Sequence, residues 1–311
     1  MPPREGLHPM DAPILVTLDG SELAEQALPH AAALSRLLDA PLLLLRVPEP
    51  VWVADVSAGL WISHPVEDAE HQAEARAYLE TVAARPELRG LTVRSELAAY
   101  PAIHGLLEAI AAARPRLVVI TTHGRSGLQR VVLGSVAEKL IRAAHASVYV
   151  VRAAETPRAP AFARLMVALD GSPLPEAALH QAQALAAGGA AQLLLAHVPM
   201  VPGYASAIPE AAGLQPNLML REMEEAETYL EGQVSRLAAA GLAAESRMEV
   251  VAEGTVAEGL LHAAADWDAD LIFVTPHGRT GLGRWLFGSV SADLVRHADR
   301  PVWLVREGEA A

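Results

Sequence analysis

Cysteine is absent from all 311 residues. Disulfides, thiolate nucleophiles and Cys-ligated metals are thereby excluded, and a chain without thiols fits a reducing compartment. Lysine is almost as scarce: Lys139 stands alone, so nearly every positive charge is an arginine. Positive charge as a whole is short, with 24 Lys and Arg against 37 Asp and Glu and a formal net charge of −13. A broad basic face for sequence-independent nucleic-acid binding is therefore not available, and any anion site must be local. Long apolar runs are missing too, although 52% of the residues are hydrophobic and the mean hydropathy is +0.23. Stretches such as 41–45 and 117–120 fall far short of the ~20 residues a membrane-spanning helix needs. Residues 1–13 carry charge and prolines but no apolar segment of a secretory signal. A soluble, cytoplasmic protein without membrane or nucleic-acid partners is the expectation.

What the chain does contain is duplicated. ILVTLDGS at 14–21 returns as LMVALDGS at 165–172. Thr121-Thr122-His123-Gly124-Arg125, leading to Gly134-Ser135-Val136, returns as Thr275-Pro276-His277-Gly278-Arg279, leading to Gly288-Ser289-Val290. In both copies nine residues separate Gly124 or Gly278 from the Gly-Ser pair, so backbone geometry and not just composition has been kept. The copies lie 151 residues apart at Asp19 and Asp170 and 154 apart at Gly134 and Gly288. Length and repeat agree on two domains, 1–154 and 163–311, joined by a Pro/Ala/Arg-rich linker at 155–162.

Within each half, short β-rich runs alternate with longer Ala/Leu/Glu segments of helical periodicity, the pattern of βαβ units. Strands are expected near 13–18, 41–47, 91–97, 116–121 and 147–151, with helices near 22–39, 67–84, 102–113 and 135–144. The second half repeats them: strands near 164–169, 191–198, 243–249, 269–275 and 301–305, helices near 174–187, 218–239, 255–266 and 289–298. Ser21 and Thr255 read as N-caps, and Gly188 and Gly241 sit where helices end. The fold class is α/β: two open five-stranded parallel sheets with helices on both faces, in tandem. Pro-containing segments at 48–65 and 199–217 are too long for simple joins and read as lids or disordered loops. Trp52, Trp61 and Tyr204 there either cover a ligand or cap the local core.

In such a sheet, ligands bind at the carboxyl ends of the strands where strand order reverses. Asp19 and Thr121 end the first and fourth strands. Asp19 and Asp170 can accept hydrogen bonds from a base or ribose, or open an Asx turn, or do both. Ser135 and Ser289 are either helix N-caps or phosphate contacts, because Gly-Ser opening a helix presents free N–H groups to an anion. Arg125, Arg130, Arg279 and Arg284 flank the site as phosphate partners or solvated loop charges. His123 and His277 recur in register beside the turn. A Walker A loop is excluded, since the only lysine, Lys139, has no glycine loop before it, and Asp19-Gly20-Ser21-Glu22 is no Rossmann Gly-x-Gly-x-x-Gly. Asp266, Asp268 and Asp270 lack an EF-hand frame, and His104 and Glu108 lack a zinc-binding companion.

These marks together, Asp-Gly-Ser after the first strand, valine after the second (Val47, Val198) and the Gly-x9-Gly-Ser part of the family's Gly-x2-Gly-x9-Gly-Ser loop, resemble the universal stress protein family over nearly the whole chain, twice. The resemblance implies an adenine nucleotide alpha hydrolase-like, Rossmann-like fold and an ATP site, with ADP or AMP as alternatives and Mg²⁺ as companion. It implies Asp19, Val47, Ile120, Thr121, Gly124, Arg125, Gly134, Ser135 and Val136 as the first site. For the second it implies Asp170, Val198, Val274, Thr275, Gly278, Arg279, Gly288, Ser289 and Val290. Thr121 and Thr275 stand where the family motif has its first glycine. The resemblance further implies pairing of the two domains through their last strands as a pseudo-dimer, with homo-oligomers beyond. A regulatory nucleotide-binding protein of the stress response is the leading expectation. A slow ATPase using His123 or His277, and an interaction module without nucleotide, are the alternatives.

Overall fold

The computed structural model describes residues 12–57, 60–66, 68–122, 133–170, 176–188, 191–199, 215–251, 254–276 and 288–306. The chain divides into two compact units between Pro160 and Ala161.

The first unit contains β1 (Ile14–Leu18), α1 (Glu22–Glu25), α2 (Ala27–Leu38), β2 (Leu42–Arg46), β3 (Val51–Ser57), β4 (Leu60–Val66) and α3 (Ala69–Ala83). A 3-10 turn at Pro86–Leu88 follows, then β5 (Val93–Leu97), α4 (Ala102–Ala113), β6 (Leu117–Thr121), α5 (Ser135–Ala143) and β7 (Val148–Val151). Five of these strands pair in parallel in the order β5-β2-β1-β6-β7. Ile14 lies opposite Leu42 on one side and Leu117 on the other, which makes β1 the centre. Its residues, ILVTL, are all buried, as the unbroken apolar run of a strand covered on both faces requires. The edge strand β5, VRSEL, has no buried residue. Right-handed crossovers put α2 and α3 on one face and α4 and α5 on the other, because the chain reverses direction across the sheet after β5. Packing agrees: α3 lies on β5 and β2, and α4 lies on α5.

The second unit repeats this plan with β8 (Arg164–Leu169), α6 (Glu176–Ala187), β9 (Gln192–His197), α7 (Gln215–Ala239), β10 (Ala243–Met248), α8 (Val256–Asp266), β11 (Leu271–Val274), α9 (Ser289–His297) and β12 (Val302–Leu304). Its parallel order is β10-β9-β8-β11-β12. Among the described residues no helix is long and apolar enough to cross a membrane.

Local signals act as their chemistry predicts. The Ser21 hydroxyl accepts the Ala24 N–H at 3.2 Å, and Thr255 and Glu258 form a reciprocal capping box. Gly241 takes φ +78 after α7.

Two expectations are corrected. The helix expected over 22–39 is interrupted at Gln26: the ring of Pro29 excludes the carbonyl four residues earlier, that of Glu25, so the ladder cannot run through. Much of the loop expected at 48–65 is a hairpin, with β3 and β4 antiparallel and Trp52 opposite Pro65. Its prolines obscured the β-branched and aromatic content of VWVADVS and LWISHPV, which is strand chemistry. The end of the first domain, just before the linker, is docked. Gln26 clamps Ala154 through both halves of its amide, donating at 2.8 Å and accepting at 3.0 Å, and Ala153 N–H donates to Thr122 Oγ1 at 3.2 Å.

His30 completes that docking from within the core, where it is only 2% exposed. Its Nε2 lies 3.1 Å from the Arg158 carbonyl, which can only accept, so Nε2 carries the proton and Nδ1 accepts from the Tyr149 hydroxyl at 3.1 Å. Burial lowers the histidine's pKa below its ordinary 6.5, outweighing the Arg158 contact that raises it. The unfolded chain then binds this proton more readily than the folded one, so the contribution is present above pH 6.5 and lost as pH falls below it. Denaturant melts are expected to show stability dropping from pH 7 to 5, with His30 adding a slope of up to ~1.4 kcal/mol per pH unit. His30→Gln should flatten the curve; an unchanged slope would remove His30 as the cause.

Candidate functional site

Strand order reverses between β1 and β6, and a cavity of about 340 Å³ opens at their carboxyl ends. Asp19, Val47, Ile120, Thr121, Gly134, Ser135 and Val136 all line it. Gly124, Arg125, His123 and Arg130 lie outside the described residues. Seven residues scattered over more than a hundred positions of sequence are thus brought to one place.

Asp19 leaves β1 and turns the chain at once. Its Oδ1 accepts the Ser21 N–H at 2.9 Å and the Ser21 hydroxyl at 2.6 Å, an Asx turn made possible by Gly20 at φ +87. The turn does not withdraw Asp19 from the cavity, which its residue still lines. Of the two sequence readings of this aspartate, the Asx turn is the one the structure shows.

At the other end, Gly134 N–H donates to the Thr122 carbonyl at 2.8 Å, and a Cβ on Gly134 would stand 3.2 Å from that oxygen. The second domain repeats the contact: Gly288 N–H reaches the Pro276 carbonyl at 3.1 Å, where a Cβ would be 3.0 Å away. This close approach is the reason for glycine before serine in both copies. It also settles how the helices begin. Gly134 and Gly288 are the N-cap residues, Ser135 and Ser289 the first helical residues, and neither helix has a side-chain cap. The N-cap alternative for the serines therefore falls away. Ser135 is exposed at the cavity, beside the N–H groups of a first turn that have no partner four residues back. Those donors and the helix dipole favour an anion.

Between the ends the wall is mostly apolar, with Ala24, Ala102, Leu106 and Ile120, and Thr17, Thr121 and Thr122 supply polar atoms. Tyr100, Leu106 and Pro48 to Pro50 are lining residues that motif reasoning did not reach. Tyr100 ends the segment after β5, so topology, not motif, was the signal that places it.

In the second domain Asp170 follows β8, Val198 follows β9, Val274 ends β11 with Thr275 next to it, and Ser289 and Val290 open α9. Gly278, Arg279, His277 and Arg284 lie outside the described residues. Here α8 comes close to the strand ends: a Cβ at Gly259 would be 3.0 Å from Val198 Cγ2. His197 donates from Nδ1 to the Leu169 carbonyl at 2.8 Å, and Ser291 donates to the Thr275 carbonyl at 3.2 Å. Thr275 Oγ1 is buried without a hydrogen-bond partner among the described residues.

The other acidic and histidine pairs are structural. Asp270 accepts the Ala163 and Arg164 N–H groups, both at 2.9 Å, while Asp266 pairs with Arg247 at 2.8 Å. His104 and Glu108 form an exposed pair at 3.0 Å. Among the described residues no group of three or more His, Asp or Glu is placed to hold a metal ion.

The sequence matches the profile of the universal stress protein family over residues 11–152 and again over 161–306. A universal stress protein of Mycolicibacterium smegmatis is 30% identical over 308 residues, covering 94% of this chain and 96% of that protein. One from Mycobacterium tuberculosis is 30% identical over 309 residues, covering 94% and 97%. The fold is similar to the crystal structure of a universal stress protein from Archaeoglobus fulgidus, with a TM-score of 0.67, 20% identity and coverage of 95% and 98%. Duplicated motif, duplicated α/β unit and full-length relatives converge: this chain belongs to the universal stress protein family, as two family domains in tandem.

Proposed function

We propose that the protein binds an adenine nucleotide, ATP first and ADP or AMP as competitors, and uses it as a regulatory signal in a cytoplasmic stress response. The observation that carries the reading is the pairing, in one first-domain cavity, of Asp19 with the uncapped Gly134-Ser135 start of α5. In this reading Asp19 accepts from the base or ribose, Val47 and Ile120 pack against it, and Thr121 offers a hydroxyl to the ribose. Gly134, Ser135 and Val136 receive phosphate oxygens, with Gly124 and Arg125 completing the cradle. Asp170, Val198, Val274, Thr275, Gly278, Arg279, Gly288, Ser289 and Val290 form the equivalent second site. Mg²⁺ would enter with the nucleotide, on its phosphate oxygens.

ATP supplied at ~100 times its dissociation constant should stabilise the protein by ~2.7 kcal/mol for one site. For a domain of this size that is a rise of roughly 5–10 °C in melting temperature. Thermal shift assays with and without Mg²⁺ test it, and no shift in either sinks the reading.

A further inference from the structure

A second cavity, of about 220 Å³, lies behind the first, and the two share Pro48, Glu49, Pro50 and Tyr100 as lining residues. Beyond that shared wall the lining becomes polar, with Asp68, the N-cap of α3, and Gln72 and Arg76 of the helix itself. Tyr100 is the aromatic member of the wall. Its ring stands edge-on to Trp52 of β3, with centroids 6.4 Å apart and planes at 84°. Such a geometry is favourable for an aromatic pair and limits the rotation of Tyr100. The indole itself is 59% exposed, so its contact with Tyr100 is not part of a buried core.

Strand order shows which end of a ligand would meet this wall. The anion-binding start of α5 adjoins Thr122, just past β6, while Tyr100 lies past β5, three strand spacings or roughly 14 Å across the sheet. A nucleotide with its phosphates on Ser135 points its base past Asp19 and Val47 toward Tyr100. At the position equivalent to Tyr100 the second domain has a glycine: Gly254 precedes Gly259 by five residues, as Tyr100 precedes Gly105.

We propose that Tyr100, braced by Trp52, is the selectivity wall of the first-domain site, closing the cavity against adenine nucleotides that carry a bulky group on the base. The proposal rests on the adenine-nucleotide reading above. Removing the ring joins the two cavities and admits the substituent.

The test is titration calorimetry of the full chain with ATP and with N6-benzyl-ATP, on the parent protein, Tyr100→Ala and Trp52→Ala. The readout is the ratio of the two affinities, so any contribution from the second domain is common to all three proteins. The parent is expected to prefer ATP by about tenfold or more, Tyr100→Ala to lose that preference, and Trp52→Ala to lose about threefold of it. Should Tyr100→Ala fail to fold by thermal melt, Trp52→Ala, altered at an exposed position, carries the test alone. ATP binding with the same preference in every folded variant, or no preference in the parent, overturns the role of Tyr100 and leaves the nucleotide reading standing. No binding of ATP to the parent overturns both.

Discussion

Gly105→Ala is expected to destabilise the first domain by about 3 kcal/mol, the upper part of the range for overpacking, and to lower its melting temperature by roughly 6–12 °C. A Cβ built on Gly105 stands 1.9 Å from the Ala99 carbonyl oxygen and 2.8 Å from the Ala99 carbonyl carbon and nitrogen. Backbone cannot rotate away as a side chain can. The segment is also held in place, since Ala98 N–H donates to the Arg46 carbonyl at 2.9 Å. Against this, alanine in a helix interior is favoured over glycine by only ~1 kcal/mol. Relief requires α4 or the strand exit to move, and that displaces Tyr100, Ala102 and Leu106 in the cavity wall, so the response to ATP should shrink as well. The repeat supplies its own control. Gly259 occupies the same place in the second domain, but a Cβ there meets methyl groups, Val251 Cγ2 at 2.7 Å and Val198 Cγ2 at 3.0 Å. Rotamer changes can relieve that contact, and the helix gain offsets much of what remains, so Gly259→Ala should stay within ~1 kcal/mol of the parent. Scanning calorimetry of both variants decides it: equal melting temperatures would show that the α4 contact is not rigid.

Ser135→Glu should move stability and binding in opposite directions. Position 135 is the first residue of α5, and a carboxylate in a first turn favours the helix dipole by 0.3–1 kcal/mol. The same carboxylate stands where the proposed phosphates bind. Two like charges ~4 Å apart near a protein surface repel by ~4 kcal/mol, which is a loss of affinity of a hundredfold or more. The ATP-induced thermal shift of the first domain should therefore vanish while the unliganded melting temperature holds or rises. Ser135→Ala removes one hydrogen bond to a charged group, worth ~1.5–3 kcal/mol, and should weaken ATP by 10- to 100-fold. If Ser135→Glu is stabilised by ATP as strongly as the parent, the start of α5 is not the phosphate site.

Much of the architecture was legible because each element announces itself over a short span. The runs ILVTL, LLLLR, VRSEL and LVVIT read as strands, and strands they are. Thr255 reads as an N-cap without any tertiary information, and the structure adds Glu258 as its capping-box partner. The signals that misled were those in which two local rules compete. Prolines at 48, 50 and 65 argued for a loop, yet the intervening aromatic and β-branched residues pair as β3 and β4. A helical Ala/Leu pattern ran through 22–39, yet Pro29 acts on the residue four before it and breaks the ladder.

The duplicated sequence by itself determined the family, the two-domain plan and the identity of residues such as Asp19, Gly134 and Ser135, since these depend on residue type at fixed spacing. Tertiary structure alone decided which of them share a cavity, because β6 lies beside β1 only after the chain has crossed the sheet. It also decided that Ser135 is no N-cap, which depends on the approach of Gly134 to the Thr122 carbonyl. Tyr100 is the clearest case: the sequence leaves it an unremarked aromatic before a proline, and pairing of β5 with β2 carries it to the cavity. Side-chain chemistry is local to a residue, whereas proximity is a property of the sheet's strand order.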